Sequence, residues 1–346
     1  MIKFEFHGTS HGEGYSGIIS GLPNGFTFDV DEVNKQLFER KHGLGRSDRQ
    51  VFPDVVRFDG FDKTVTVNGD LHFSVANKSV EKRPDITALR SGHSDVVGKA
   101  RHPELTVREL AEISSARNSV CYVVLGAICK QYLAGRGIFT YHYVEKIGGI
   151  ASRNRYRFGV SEKEPHFEVL HCPCRYATGL MVEAIEKARA EGNSLGGTVA
   201  VGATGVPAGL GEILPYTERL DAQIAANLVG IPSVKGITFG IGDKFANADG
   251  VTSHDELTVT NGQIVYATNN CGGIVAGITT GGDILCHLTV KPVPTVKNVE
   301  TVDAVTHKTV PQHYERADVC VVPNVGVIAE NILAYVLTDT ILKQGW

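Results

Sequence analysis

Three things are missing from this sequence: an excess of positive charge, a cysteine spacing suited to a metal, and an apolar run as long as a bilayer is thick. Its 34 lysines and arginines stand against 38 acidic residues, a formal net charge of −4. That balance excludes a general nucleic-acid binder, which carries a basic excess, but it leaves room for a local basic pocket. The seven cysteines, an odd number scattered over 346 residues, read as reduced thiols in a cytoplasmic protein rather than as a disulfide framework. Cys172 and Cys174 form a C-x-C pair with no second pair at a zinc-site spacing, so structural thiols and no metal are expected. The opening MIKFEFHGTSHGEG has no apolar h-region and no small-residue cleavage site, so no signal peptide is expected. No membrane span is expected either.

What is present is ample core material cut by glycine. An apolar fraction of 42% and a charged fraction of 21% are those of a globular protein with a substantial core. The length fits one large domain or two ordinary ones. The densest glycine cluster lies in Thr268–Thr295, TNNCGGIVAGITTGGDILCHLTVKPVPT, with five glycines among residues 268–282. Such a loop allows close backbone approach to a ligand, and the apolar run LCHLTV delivers Lys291 to its rim. Near the start, Ser10 and His11 sit between Gly8 and Gly12, presented from a tight turn.

Residues 31–41 carry Val33 and Leu37 on one face of an amphipathic helix. The helix runs into Arg40, Lys41, Gly43, Gly45, Arg46 and Arg49, a cationic loop suited to phosphate or carboxylate. Residues 50–80 are β-rich, with Asn68-Gly69 as a hairpin turn. His93 follows Gly92 beside Arg90 and Asp95, a group able to exchange protons near neutral pH. A single buried helix is predicted from about Thr106 to Leu133, with Ser114, Ser115 and Arg117 on its polar half. Gly135–Gly137 ends that unit. A strand over 138–150, a helix over 177–191, the strand TVAVGATGV, a helix near 218–229, a turn bearing Lys235 and a closing helix over 326–343 follow. Helices and strands alternate throughout, which suggests two similar halves, about 1–137 and 138–346, within one domain. Cations next to glycine or serine, two histidines and Asp318 add up to a site for a multiply anionic metabolite with proton donors at hand.

The motifs in combination go further. GTSHGEGYSGIISGLPNG resembles the G-x-SHG…G-x-P-x-G opening of the chorismate synthase family. GLGRSDR is similar to its GYGRG-x-R loop, and RSGHSD to its RPGHAD. SSAR, GNSLGG, VPAGLGE, IPSVKG, TNNCGGIVAGITTGG with VKPVPT, and RADVCVVP follow in the family's order. The resemblance spans nearly the whole chain. It implies an α+β fold: a β-α-β sandwich with two pseudo-symmetric halves, helices between antiparallel sheets, and a homotetramer. It implies 5-enolpyruvylshikimate 3-phosphate as substrate, reduced FMN as cofactor, and an anti 1,4-elimination of phosphate giving chorismate. Whether the flavin is reduced by the chain's own use of NADPH or by an external reductant stays open.

Residue by residue, the resemblance makes His11 the donor to the departing phosphate, His93 the donor to reduced flavin, and Asp318 the partner of flavin N5 in removing the C6 proton. Ser10, Arg40, Arg46, Arg49, Ser115, Arg117 and Arg316 are implied at the substrate. Ser114, Lys235, Asn269, Asn270, Gly272, Gly273, Lys291 and Thr295 are implied at the cofactor. The chain also departs from the pattern. Ile113 stands where the family has an arginine, Ala317 where it has a histidine, and Asn324 where it has another arginine. These departures leave two alternatives: a re-purposed or impaired paralogue that keeps the fold, and a lyase acting on a different phosphometabolite.

Overall fold

The computed structural model describes residues 1–47, 52–77, 84–154, 156–314 and 317–346. In chain order, β1 (Lys3–Gly8) turns back through β2 (Gly14–Ser20), and β3 (Thr27–Asp29) leads into α1 (Val30–Lys41). Strands β4 (Val56–Phe58), β5 (Thr64–Thr66) and β6 (Leu71–Ala76) precede α2 (Asp95–Arg101), α3 (Val107–Ile113) and α4 (Ser119–Ala134). Then come β7 (Phe139–Ile147), β8 (Ile150–Ala151), α5 (Phe167–Leu170), α6 (Arg175–Glu191) and β9 (Gly197–Thr204). After α7 (Leu220–Val229) and β10 (Val234–Phe239), the chain forms α8 (Gly250–Ser253) and the hairpin of β11 (Leu257–Thr260) and β12 (Gln263–Tyr266). Short β13 (Ile274–Val275) and β14 (Ile278–Thr279), long β15 (Ile284–Val290), the pair β16 (Glu300–Val302) and β17 (Thr309–Pro311), and α9 (Val322–Gln344) complete it.

Two antiparallel sheets flank a helical layer. One has the order β1-β2-β6-β4 and the other β10-β15-β9-β7-β8, so the first draws its strands from residues 3–76 and the second from residues 139–290. In β6 the buried Leu71, Phe73 and Val75 alternate with exposed residues, the period of a sheet with one face on a core. Helices α4 and α9 are buried on nearly all sides, as helices apolar all round must be. They pack on each other, with α4 also touching α1 and β2 and α9 touching β7 and β9. Their backbones approach so closely that a Cβ on Gly126 would stand 2.3 Å from the Asn331 carbonyl oxygen. The α+β sandwich of helices between antiparallel sheets is therefore the fold.

Four local expectations are corrected. The helix expected over 106–133 is broken: α3 ends at Ile113, a 3-10 turn spans Ala116–Asn118, and α4 restarts at Ser119. The cause is serine, whose hydroxyl competes for backbone groups. Ser114 donates to the Leu110 carbonyl, and Ser115 accepts from the Arg117 N–H. Asn68-Gly69 does not close a hairpin, because β5 pairs with β3 while β6 pairs with β2 and β4. Lys235 lies within β10 at a bulge, not on a turn. Finally, α9 starts four residues early, with Pro323 in the first turn where its missing N–H costs nothing. By length and composition α9 could cross a membrane, but 89% of its most apolar window is buried inside the fold.

The helical layer also holds a buried charge relay. Glu330 of α9 meets Lys130 of α4 and His142 Nδ1 of β7, each at 2.5 Å, and His142 Nε2 lies 2.6 Å from His171 Nδ1. Burial, reinforced by His142, pulls His171 down to about 3, so it stays neutral in the fold while the unfolded chain binds a proton near 6.5. The stability this gives is complete above 6.5 and drains away as pH falls toward 3. The native state should lose about 2 kcal/mol between pH 7 and pH 5 through this residue. His171→Asn keeps a residue tolerant of the left-handed backbone there (φ 56°). Urea melts at both pH values should show that variant losing correspondingly less, and an equal loss refutes the assignment.

Candidate active site

A cleft of about 390 Å3 opens where the β1–β2 loop, the loop before α2, the end of α3, the adjoining ends of β10 and β15, and the N-terminus of α9 converge. Ser10, His11, His93, Ser114, Ser115, Lys291, Thr295 and Asp318 all line it. A larger surface hollow of about 610 Å3 near Arg157 and Arg175 gathers none of the predicted site residues. The cleft is therefore the candidate site.

His11 is carried by the five-residue loop between β1 and β2, which starts at Gly8 (φ 140°). Any Cβ there would stand 2.2 Å from the Gly14 carbonyl oxygen. Asn77 fixes the loop by donating to the carbonyls of Ser10 and Gly12, at 3.4 and 2.9 Å. His11 Nδ1 faces Ser10 Oγ at 3.1 Å and Glu112 Oε1 at 3.6 Å.

His93 is held differently. Its Nδ1 lies 3.0 Å from Asp95 Oδ1. Arg90 grips the same carboxylate with Nε at 2.9 Å, Nη2 at 2.8 Å and its backbone N–H at 2.8 Å. Burial opposes ionisation of Asp95, but the bonds from His93 and Arg90 outweigh it and hold the carboxyl well below the usual range. An ionised Asp95 needs a donor at His93 Nδ1, so the mobile proton chemistry of that ring belongs to Nε2. The turn is tethered by Lys291 Nζ, which donates to the Gly92 carbonyl at 2.6 Å. Asp318, 272 residues from its partner in sequence, takes Arg46 Nη1 on one oxygen and the Ser47 N–H on the other, both at 2.7 Å.

The other predicted cations are spread around this centre. Arg40 is buried, with Nη1 on Ser119 Oγ at 3.0 Å and Nη2 on Asp54 at 2.6 Å. Burial draws its guanidinium down to about 10 despite the attraction of Asp54, and it stays charged at neutral pH. Lys41 and Arg117 converge on the same Asp54, and Arg117 also donates to Asn77. Burial works against ionisation of Asp54, but the three cations hold it below the carboxylate range. Arg49 and Arg316 lie outside the described residues. Lys235 is exposed and does not line the cleft, although Ser233 two residues before it does.

The glycine-rich loop is also elsewhere. Gly240 contacts Asn270 and Gly272 at the far end of β10 from the cleft. Its backbone donors are occupied by this chain: Asp255 accepts from the N–H groups of Asn270 and Cys271 and from the Thr268 hydroxyl. The Thr268–Cys271 turn thus wraps a carboxylate of its own chain, and Asn269, Asn270, Gly272 and Gly273 do not line the cleft. Asp54, Asn77, Glu112 and Asp255 carried no motif signal in the sequence.

The family model for chorismate synthase matches residues 2–342. The chain belongs to the chorismate synthase family. Chorismate synthases of Carboxydothermus hydrogenoformans and of a Geobacillus species are 32% and 34% identical to it, each alignment covering 99% of this chain and 94% of the relative. A crystal structure of chorismate synthase superposes with a TM-score of 0.79 at 26% identity, covering 99% of this chain and 92% of that one. Chorismate synthases are carbon–oxygen lyases of aromatic biosynthesis, and this chain shares their fold from end to end.

Against that family background the departure at Ile113 is local in effect. Ile113 points outward, 61% exposed, so restoring a cation there adds nothing to the cleft. Ile113→Arg should leave ligand affinities within about twofold by titration calorimetry, and a tenfold gain refutes this placement. Asp54 is the opposite case. Asp54→Asn strips three cations of a shared buried counterion and should cost about 3–5 kcal/mol in a urea melt. A change below 1 kcal/mol would show the cluster to be solvated.

Proposed function

We propose that this chain is a working chorismate synthase. It eliminates phosphate from 5-enolpyruvylshikimate 3-phosphate in the anti 1,4 sense, with reduced FMN as cofactor, in a cytoplasmic homotetramer. The observation that carries this reading is the convergence of His11, His93 and Asp318, from three distant stretches of sequence, on one cleft.

The lining suits both ligands. Ile231, Val293, Val321 and Ile328 offer an apolar wall to a flat ring, while Arg90, Arg108, Lys291 and the serines offer charge and hydrogen bonds to anionic groups. When bound there, reduced FMN supplies an electron-rich ring that stabilises charge as the phosphate leaves. His11 donates the proton that neutralises the departing phosphate. His93, with Nδ1 on Asp95, presents Nε2 as the second proton carrier. Asp318, oriented by Arg46 and the Ser47 N–H, stands as the acceptor side of C6 proton removal. The C6–hydrogen bond breaks and its electron pair enters the ring, the existing ring double bond shifts toward C3, and the C3–oxygen pair leaves with the phosphate, giving one new ring double bond with no net redox change. The exposed β11–β12 hairpin, with Leu257, Val259 and Ile264 each more than 60% exposed, supports subunit association.

A second reading, an impaired paralogue that keeps the fold, is favoured by one observation. Glu112 places a carboxylate in a cleft meant for an anionic substrate. Anaerobic incubation with reduced FMN and the substrate, following chorismate absorbance and phosphate release together, separates the two readings. Parallel formation of both products supports the first, and neither product with no flavin binding supports the second. His11→Ala and His93→Ala should each lower turnover about 10²–10⁴-fold while leaving the circular dichroism spectrum intact. Unchanged turnover removes that histidine from the mechanism.

A further inference from the structure

We propose that Glu112 is a positioning residue for His11: its carboxylate holds a hydrogen on Nδ1 and leaves Nε2 to hand the second proton to the departing phosphate. This rests on the substrate reading above, with His11 as the proton donor. Glu112 Oε1 stands 3.6 Å from His11 Nδ1, while Ser10 Oγ stands 3.1 Å from the same nitrogen. At 3.6 Å the carboxylate is an ion-pair partner and not a hydrogen-bond acceptor, so Ser10 supplies the bond and Glu112 the charge. An ionised carboxylate repels a ring lone pair and attracts an N–H, so Nδ1 carries hydrogen in both the neutral and the charged ring. All three side chains line the cleft, with the imidazole 28% and the carboxylate 23% exposed. Burial of that degree makes the attraction stronger than between fully solvated charges.

The placement of Glu112 argues for a role rather than a chance approach. It is carried by α3, whose start is fixed by the reciprocal bonds of Thr106 and Glu109 and which packs on α2. It falls in the last turn of that helix, a turn with no basic residue, where the negative helix end disfavours a carboxylate. Among the described residues His11 is the side chain that Glu112 pairs with, and the pair offsets that cost. The charged groups on the other walls have partners elsewhere: Arg90 and His93 on Asp95, Lys291 on the Gly92 carbonyl, Asp318 on Arg46. Arg108, from the same helix, donates to the Pro84 carbonyl. In the elimination the imidazolium gives its Nε2 hydrogen to a phosphate oxygen and becomes the neutral ring with hydrogen still on Nδ1. The carboxylate that stands against an anionic substrate thereby keeps its proton donor charged.

The test has two readouts on the intact protein. Deuterium exchange at the imidazole C2–H, followed across pH by peptide mass spectrometry without ligands, gives the protonation midpoint of His11 independently of turnover. Glu112→Gln should lower that midpoint by about one pH unit, because an opposite charge so near favours the charged ring. The imidazolium is then lost earlier as pH rises. Turnover of the variant should fall about tenfold at pH 8 and stay within about threefold of the wild type at pH 6. KM for the substrate should be unchanged or lower, since the variant removes a negative charge from the cleft. An unmoved midpoint overturns the proposal. So does a kcat that rises at both pH values, which would make Glu112 a plain obstacle to the anion. An equal fall at both pH values would mark a structural role and overturn it too. A wild type that forms no chorismate fails the substrate reading, and the catalytic role of the pair goes with it. A midpoint unmoved in a protein that turns over fails this proposal alone.

Discussion

Asp54 is a single buried carboxylate on which three separate parts of the first half depend. Arg40 and Lys41 reach it from the end of α1, Arg117 reaches it from the 3-10 turn, and Ser119 joins through Arg40. Arg117 passes the constraint on to Asn77, and Asn77 holds the carbonyls of the loop that presents His11. Charge is concentrated beside the cleft because one acidic residue compensates three basic ones, and the surplus is positive. A net-acidic protein can in this way carry a locally cationic pocket for an anionic substrate.

The proton carriers follow the same logic at smaller scale. Each is oriented by a neighbour that has few alternatives. Asp95 is saturated by Arg90 and so fixes the His93 ring, and Asp318 is shared between Arg46 and a backbone N–H. Pairing within the chain fixes these side chains in place, so binding need not order them. Lys291 adds a mechanical link, since its ammonium holds the carbonyl of the glycine that precedes His93.

Much of this was legible in sequence, and the reasons are specific. Glycine-flanked His11 and His93 advertise themselves because few core positions need that pattern, and α1 and α6 show the helical period. What stayed hidden were the partners. Asp54 looks like any aspartate in a β-rich stretch, yet its role depends on residues 13 to 63 positions away. The glycine-rich loop misled for a related reason. Its donors suit an anion, but sequence spacing could not reveal that Asp255, about fifteen residues earlier, supplies one. The serines at 114 and 115 break a helix that apolar periodicity alone would continue, because hydroxyl competition for backbone groups leaves no periodic trace.

The helix that fills the middle of the molecule is the last element to be made. Until α9 has emerged, α4 is the only long helix that touches both sheets among the described residues, and the Gly45 carbonyl lacks the Val319 and Cys320 N–H groups that dock on it. At synthesis rates of about 5–20 residues per second, the nascent chain spends many seconds with the α9 share of both inner sheet faces uncovered. Its site lacks Asp318 and the α9 wall until those C-terminal residues are free. Contacts of such sequence separation make for slow final assembly. The length of time the unfinished chain is shielded from other apolar surfaces therefore governs its yield in the cell as much as the stability of the finished protein does.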